Sequence, residues 1–206
     1  MTNRFNYPTD REAHNAARAK ALQALLIEKG VITSSTVDTV LQVFETKMGP
    51  FNGAKVVARA WVDPAFKERL ITDTTAAVAE VDGLPDVMTG AEGEHMRAVA
   101  NGPGVHNLII CTLCSCYPWP VLGLPPYWYK DPTFRSRAAR EPRAVLKEFG
   151  LDIPTSTEVK VWDSSAQIRW FVVPERPDGT DGLGEEELAA LVTPESMMGV
   201  AVATAA

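Results

Sequence analysis

Apolar residues recur at helical spacing through the first third of the chain. Ala17, Ala21, Leu22, Leu25 and Leu26 form one stripe, and Val37, Val40, Leu41 and Phe44 form a second. Thr9-Asp10-Arg11-Glu12 predicts the start of the first helix, with Thr9 as the cap and Glu12 reaching back to complete a capping box. Gly30 and Gly49-Pro50 predict the two helix ends. Shorter helices are expected over residues 53–61, 64–71 and 73–81, with Asp63-Pro64 as one start signal. This region offers little β structure for the helices to lie on. Their stripes must be buried on the C-terminal part of the chain or on another subunit, or in an ordinary helical bundle packed on the chain itself, which the pattern alone favours.

The helical period breaks between residues 83 and 104, where several glycines, Pro85 and Pro103 predict a long connection. Residues 105–110 read as a strand running into Cys111. Beyond the cysteines, Pro118, Pro120, Gly123, Pro125 and Pro126 argue against a regular helix. Asp131-Pro132 and Glu141-Pro142 predict the starts of two short helices, the second ending near Phe149-Gly150. Residues 158–162 and 167–174 are rich in Val, Ile, Phe and Trp. With Asp163-Ser164-Ser165-Ala166 as a turn between them, they are expected to pair as a hairpin. Two more helices are expected over residues 185–192 and after Thr193-Pro194. The predicted class is α+β. A helical arm over residues 1–82 leads through a connecting loop over 83–104 into an α/β-layered domain over 105–206, with a mainly antiparallel sheet and the cysteine loop at its start.

Composition narrows the chemistry. A 206-residue chain with 46% hydrophobic and 22% charged residues folds. A net charge of −6 disfavours nucleic acid and anionic membrane as partners, because both attract clustered Lys and Arg. The first residues carry early acids and no apolar core, so they do not read as a secretory signal, and no later run is long enough to span a bilayer. All three cysteines fall between positions 111 and 116, a poor disulfide framework that predicts a cytoplasmic location.

Cys111, Cys114 and Cys116 can aim three sulfurs at one point from a tight turn, and soft sulfur ligands suit zinc, copper, iron or cobalt. A structural zinc site or an iron–sulfur cluster generally takes four protein ligands. His14 and His95 are remote in sequence, and His106 would have to bend back to supply the fourth. A redox dithiol would use Cys111-Thr112-Leu113-Cys114 and leave Cys116 without a role. A metal site using all three sulfurs would complete its shell with backbone atoms of the turn.

The run Val105-His106-Asn107 through Cys111-Thr112-Leu113-Cys114-Ser115-Cys116-Tyr117-Pro118-Trp119-Pro120 to Pro125-Pro126 resembles the signature of the nitrile hydratase α-subunit family. The resemblance extends to Gly53-Ala54-Lys55-Val56-Val57-Ala58, Trp61-Val62-Asp63-Pro64, Val161-Trp162-Asp163-Ser164-Ser165 and Pro174-Glu175-Arg176-Pro177. It implies that Cys111, Cys114 and Cys116 ligate a metal with the backbone nitrogens of Ser115 and Cys116. It also implies that Cys114 is oxidised to sulfinate and Cys116 to sulfenate. Thr112 and Tyr117 are the residues typical of cobalt members, so one Co3+ per αβ pair is expected in preference to iron. Cys116 and Ser115 are the expected catalytic residues. Trp119 is expected to line the pocket and Glu92 to lie near it.

The implied activity is hydration of small-molecule nitriles to amides. The implied partners are a β subunit carrying two arginines to the oxidised sulfurs, in an αβ or α2β2 assembly, and a metal-loading activator protein. The arm is then expected to pack on the β subunit. Thiocyanate hydrolase, whose metal-bearing subunit shares the cysteine loop, is the nearest competing family, and Tyr117-Pro118-Trp119-Pro120 favours nitrile hydratase. From another class, a zinc-stabilised interaction module is the competitor. Arg169, with Asp163 and Ser164, reads first as a solvated or structural salt bridge, and otherwise as a tie from the sheet to the cysteine loop or to the partner chain.

Overall fold

A computed structural model describes residues 10–81 and 95–205. Thr9, the expected cap of the first helix, and Glu92 lie outside the described residues. The chain begins with α1 (Asp10–Glu28) and α2 (Ser34–Thr46). Thr33 caps α2 through a reciprocal pair of bonds with Thr36, which satisfies backbone donors the helix leaves open. Neither stripe is covered: Leu22, Leu25, Val40 and Leu41 are all exposed, and α2 buries no residue. No described helix is long and apolar enough to cross a membrane.

The next helices, α3 (Pro50–Val62), α4 (Pro64–Thr72) and α5 (Thr74–Ala79), behave differently. Val56, Val57, Phe66, Leu70 and Val78 are fully buried in the chain's own core. Asp63 caps α4 and Asp73 caps α5 by accepting from Phe66 N–H and Ala76 N–H. The uncovered part of the helical region is therefore α1 and α2.

The sheet departs from the expected antiparallel hairpin. β1 (His95–Ala100), β2 (Val105–Ile110), β3 (Glu158–Asp163) and β4 (Ile168–Val173) form two two-stranded ladders, β1 with β4 and β2 with β3, and both are parallel. Residues 158–163 and 168–173 flank a turn but never pair with each other; each joins a strand from much earlier in the chain. β1 also falls inside the stretch expected to be a connection. Its residues are poor β formers, so a partner supplies the order that local propensity lacks. Parallel pairing buries strands on both faces, as in β2, where five consecutive residues from His106 to Ile110 are buried. Parallel strands also need long crossovers. Between β2 and β3 the crossover carries the cysteine loop, α6 (Trp119–Leu122), α7 (Tyr127–Lys130), α8 (Pro132–Ala138) and α9 (Pro142–Glu148). α6 is a single turn in the proline-rich stretch. Pro120 fits there because the first turn does not use its missing N–H.

After β4 come α10 (Glu185–Ala189), which packs on α3, and α11 (Pro194–Met198), which packs on β4 and β2. α11 ends at Gly199 in the left-handed conformation. Its carbonyl accepts from His106 Nε2 at 2.7 Å, while Asn101 Nδ2 lies 3.3 Å from His106 Nδ1, so the neutral ring is satisfied on both sides. Burial holds the His106 pKa below its ordinary 6.5, against the smaller upward pull of the Gly199 bond. The unfolded chain then binds this proton more readily than the folded one. The stabilisation is complete above pH 6.5 and is lost as pH falls through the depressed value, by roughly 1.4 kcal/mol for each pH unit of the depression. Thermal denaturation from pH 7 to 5 is expected to show this loss, and His106→Gln to flatten it. An equal slope in both proteins would refute the assignment.

Candidate metal centre

β2 ends where the chemistry begins. Cys111 follows Ile110 directly and is fully buried, Cys114 is exposed and Cys116 is half-buried. Their sulfurs lie within 4.8 Å of one another, with Cys114 Sγ 3.7 Å from Cys111 Sγ and 2.8 Å from Cys116 Sγ. This is the one such cluster among the described residues, and neither a histidine nor a carboxylate belongs to it. His106 is held between Asn101 and Gly199, away from the sulfurs.

The turn is wound around Cys111. Cys114 N–H and Ser115 N–H donate to Cys111 Sγ at 3.3 and 3.1 Å. Burial is the largest single influence on the Cys111 thiol and pushes its pKa up. Backbone donors at Cys114, Cys116, Leu113 and Ser115 together outweigh burial and hold the pKa below the usual thiol value. Burial and the Cys114 hydrogen bond push the Cys116 thiol up to about 12, against the pull of the Arg169 guanidinium. Among the described residues, Ser115 is the one non-glycine with positive φ, at 81°. A side chain in that conformation costs about 1–2 kcal/mol, so the surroundings must hold it there. In return, the Ser115 amide faces into the sulfur cluster. Three sulfurs with inward-facing amides fit a soft metal of the cobalt or iron kind better than a closed zinc tetrahedron.

The parallel register explains the first anchor. Ile110 pairs with Asp163, so the ends of β2 and β3 lie side by side and Asp163 meets the first loop residues. Its carboxylate accepts from Thr112 N–H at 2.9 Å and from Thr112 Oγ1–H at 2.5 Å. Arg135 Nη1 donates to the Leu113 carbonyl at 3.1 Å, and Tyr129 Oη–H donates to the Cys116 carbonyl at 2.8 Å. Tyr129 is fully buried, and burial pushes its phenol up, so it stays a neutral donor. Asn52 Nδ2, from α3, reaches the Pro120 carbonyl at 2.9 Å and holds α6. Sequence pattern marks Asp163 only as a tie or ion-pair candidate, and it does not mark Arg135, Tyr129 or Asn52 at all. No local motif singles these residues out, because each acts across the fold. Arg169 donates to the Ser165 carbonyl at the turn between β3 and β4, and its charge reaches Cys116.

Trp119 opens α6 just after the loop, is 45% exposed, and meets Phe44 of α2 edge-on at 5.8 Å. Leu113, Leu124 and Tyr127 are also exposed around the loop, Leu113 at 86%. From the buried Cys111 the cluster therefore opens through Cys114 onto a partly apolar surface.

Residues 13–201 match the family model described as nitrile hydratase, alpha chain. The chain is 52% identical, over the full length of both, to the cobalt-containing nitrile hydratase subunit alpha of Pseudonocardia thermophila. A solved structure of a double mutant of the Fe-type nitrile hydratase from Comamonas testosteroni Ni1 superposes with a TM-score of 0.83 at 39% identity, covering 96% of this chain and 93% of that one. Thiocyanate hydrolase subunit gamma from Thiobacillus thioparus is a more distant relative, 39% identical over 88% of this chain and 77% of its own length. By the match to its model and by full-length identity, the chain belongs to the nitrile hydratase α-chain family.

Proposed function

We propose that this chain is the metal-bearing α subunit of a nitrile hydratase, hydrating nitriles to amides at a cobalt centre. The observation that carries the reading is the convergence of Cys111, Cys114 and Cys116 around an inward-facing Ser115 amide, in a chain of this family. Cys111, Cys114 and Cys116 would hold the ion through sulfur, and Ser115 and Cys116 through their backbone nitrogens. A bound Co3+ would supply Lewis-acid activation of the nitrile toward water. Cobalt is favoured over iron by Thr112 and Tyr117 and by the 52% identity to a relative named as cobalt-containing.

The chain's own groups supply position and access. Cys111 remains a thiolate, supported by its backbone donors. Cys114, as the sulfinate, and Cys116, as the sulfenate, present oxygen acceptors beside the substrate position. Cationic donors for those oxygens come from a β subunit. That subunit also covers the exposed Leu113, Leu124 and Tyr127 around the loop and the stripes of α1 and α2. Trp119, steadied by Phe44, forms one wall for an apolar nitrile. An αβ pair, doubled to α2β2, and a separate metal-loading protein complete the assembly, and three unpaired thiols suit the cytoplasm.

Coexpression with the β subunit should give a complex that holds one cobalt per pair and hydrates a small aliphatic nitrile. Intact mass should show one sulfinate and one sulfenate. Turnover of thiocyanate with no nitrile hydration would transfer the chain to the competing activity. Stoichiometric zinc with unmodified cysteines would end the catalytic reading altogether.

A further inference from the structure

The peptide carbonyls on either side of the Cys114-Ser115 step are both held from outside the loop. At the near end, Arg135 Nη1 donates to the Leu113 carbonyl at 3.1 Å. At the far end, Tyr129 Oη–H donates to the Cys116 carbonyl at 2.8 Å. The second hold is backed by the segment that joins β3 to β4. Trp170 N–H, in β4, donates to Ser164 Oγ at 3.2 Å, and the Ser164 side chain lies beside the Tyr129 hydroxyl. Ser164 is itself buried, and its N–H donates to the Ile110 carbonyl at 2.8 Å. The Tyr129 ring cannot swing away, because it is fully buried against Tyr117 at 5.2 Å and Trp128 at 5.9 Å between ring centres.

Fixing both carbonyls leaves the turn little choice. The left-handed Ser115 aims its amide at Cys111 Sγ while both ends of the step are held. Releasing either end lets Ser115 relax toward ordinary backbone angles, which rotates its amide away from the sulfurs.

We infer that Tyr129 is a positioning residue of the metal centre, its hydroxyl setting the Cys116 carbonyl so that the amide and sulfur donors converge, with Arg135 as the counterpart at Leu113. The assignment rests on the metal-centre reading above and adds what shapes the donor set. Tyr129 touches neither substrate nor metal. Its influence is transmitted through the turn.

Tyr129→Phe keeps the ring and removes the hydroxyl, so it is the direct test in the cobalt-loaded αβ complex. Outer partners of metal ligands typically change affinity or activity roughly 10–100-fold. Loss of cobalt to a chelator should accelerate by about tenfold or more. The sulfur-to-metal charge-transfer absorption should shift, deuterium uptake in the 111–117 peptide should rise, and kcat should fall with KM nearly unchanged. Ser164→Ala, which leaves Tyr129 in place but removes the polar neighbour of its hydroxyl, should move each readout the same way by less. Arg135→Lys should retain more cobalt than Arg135→Ala. A Tyr129→Phe complex with wild-type chelator resistance, absorption and deuterium uptake overturns the inference, whatever its melting temperature. If the wild-type complex bound cobalt but did not hydrate nitriles, the activity reading would fall while these readouts still judged Tyr129.

Discussion

Cys111→Ala is expected to leave a folded subunit that still assembles with its partner but retains little cobalt and loses nitrile hydration by more than about 100-fold. That loss exceeds the roughly 10–100-fold range seen when only the outer partners of a metal ligand are removed. Cys111 is the sulfur around which the turn is wound, since the Cys114 and Ser115 amides both donate to it. Removing it deletes a ligand and also the acceptor that turns those amides inward. The cavity left by one sulfur is small, so the core of Leu108, Ile109 and Ile110 should tolerate the change. Metal analysis and activity of the purified complex, with size measurement to establish assembly, check the prediction. A variant with full cobalt content would remove Cys111 from the ligand set.

Among the described glycines, Gly199→Ala should be the most damaging methyl addition. A Cβ there would lie 1.9 Å from the Asn107 carbonyl oxygen and 2.9 Å from its carbon, both backbone atoms that cannot step aside. The position also has φ of +80°, so the new side chain meets strain as well as a clash. Overpacking of about 1–3 kcal/mol and left-handed strain of about 1–2 kcal/mol together predict roughly 3 kcal/mol of destabilisation. For a chain of this size, that corresponds to a fall of roughly 6–12 °C in melting temperature. Gly179→Ala is the matched control. It shares a positive φ, at +77°, but its Cβ would meet nothing within 4 Å, so only the strain should register. Equal losses at the two positions would show that the close approach to β2 contributes nothing.

The residues most legible in the sequence were those whose role is local. The helical stripes, the Asp63-Pro64 start and the three cysteines each sit within a few positions of what they need, so spacing alone exposes them. The pairing of strands was not legible for the opposite reason. Asp163-Ser164-Ser165-Ala166 has the composition of a tight turn, and a tight turn between two apolar runs ordinarily means a hairpin. Here each flanking strand instead finds a parallel neighbour far back in the chain, one of them His95–Ala100 in a stretch with no strand signature of its own. The same distance hid the supports of the metal loop. Tyr129 reads as one member of an aromatic cluster with Trp128 and Phe134, and only the fold reveals that its hydroxyl meets Cys116. Ser115 gave no warning of its positive φ, since serine usually adopts ordinary backbone angles.

The Thr112–Asp163 contact has a consequence for the order of events during synthesis. The two residues are 51 positions apart, so the ribosome releases the cysteines well before the strand that braces them. Domains are made from the N-terminus at about 5–20 residues per second, which leaves the thiols without their brace for several seconds. Ser164 and Trp170, which back the Tyr129 hydroxyl, arrive later still. The thiols are therefore present before the pocket that organises them. On the proposed reading, cobalt delivery and sulfur oxidation would belong after β4 has emerged, because a nascent chain stalled before Asp163 offers three loose cysteines in place of a shaped site.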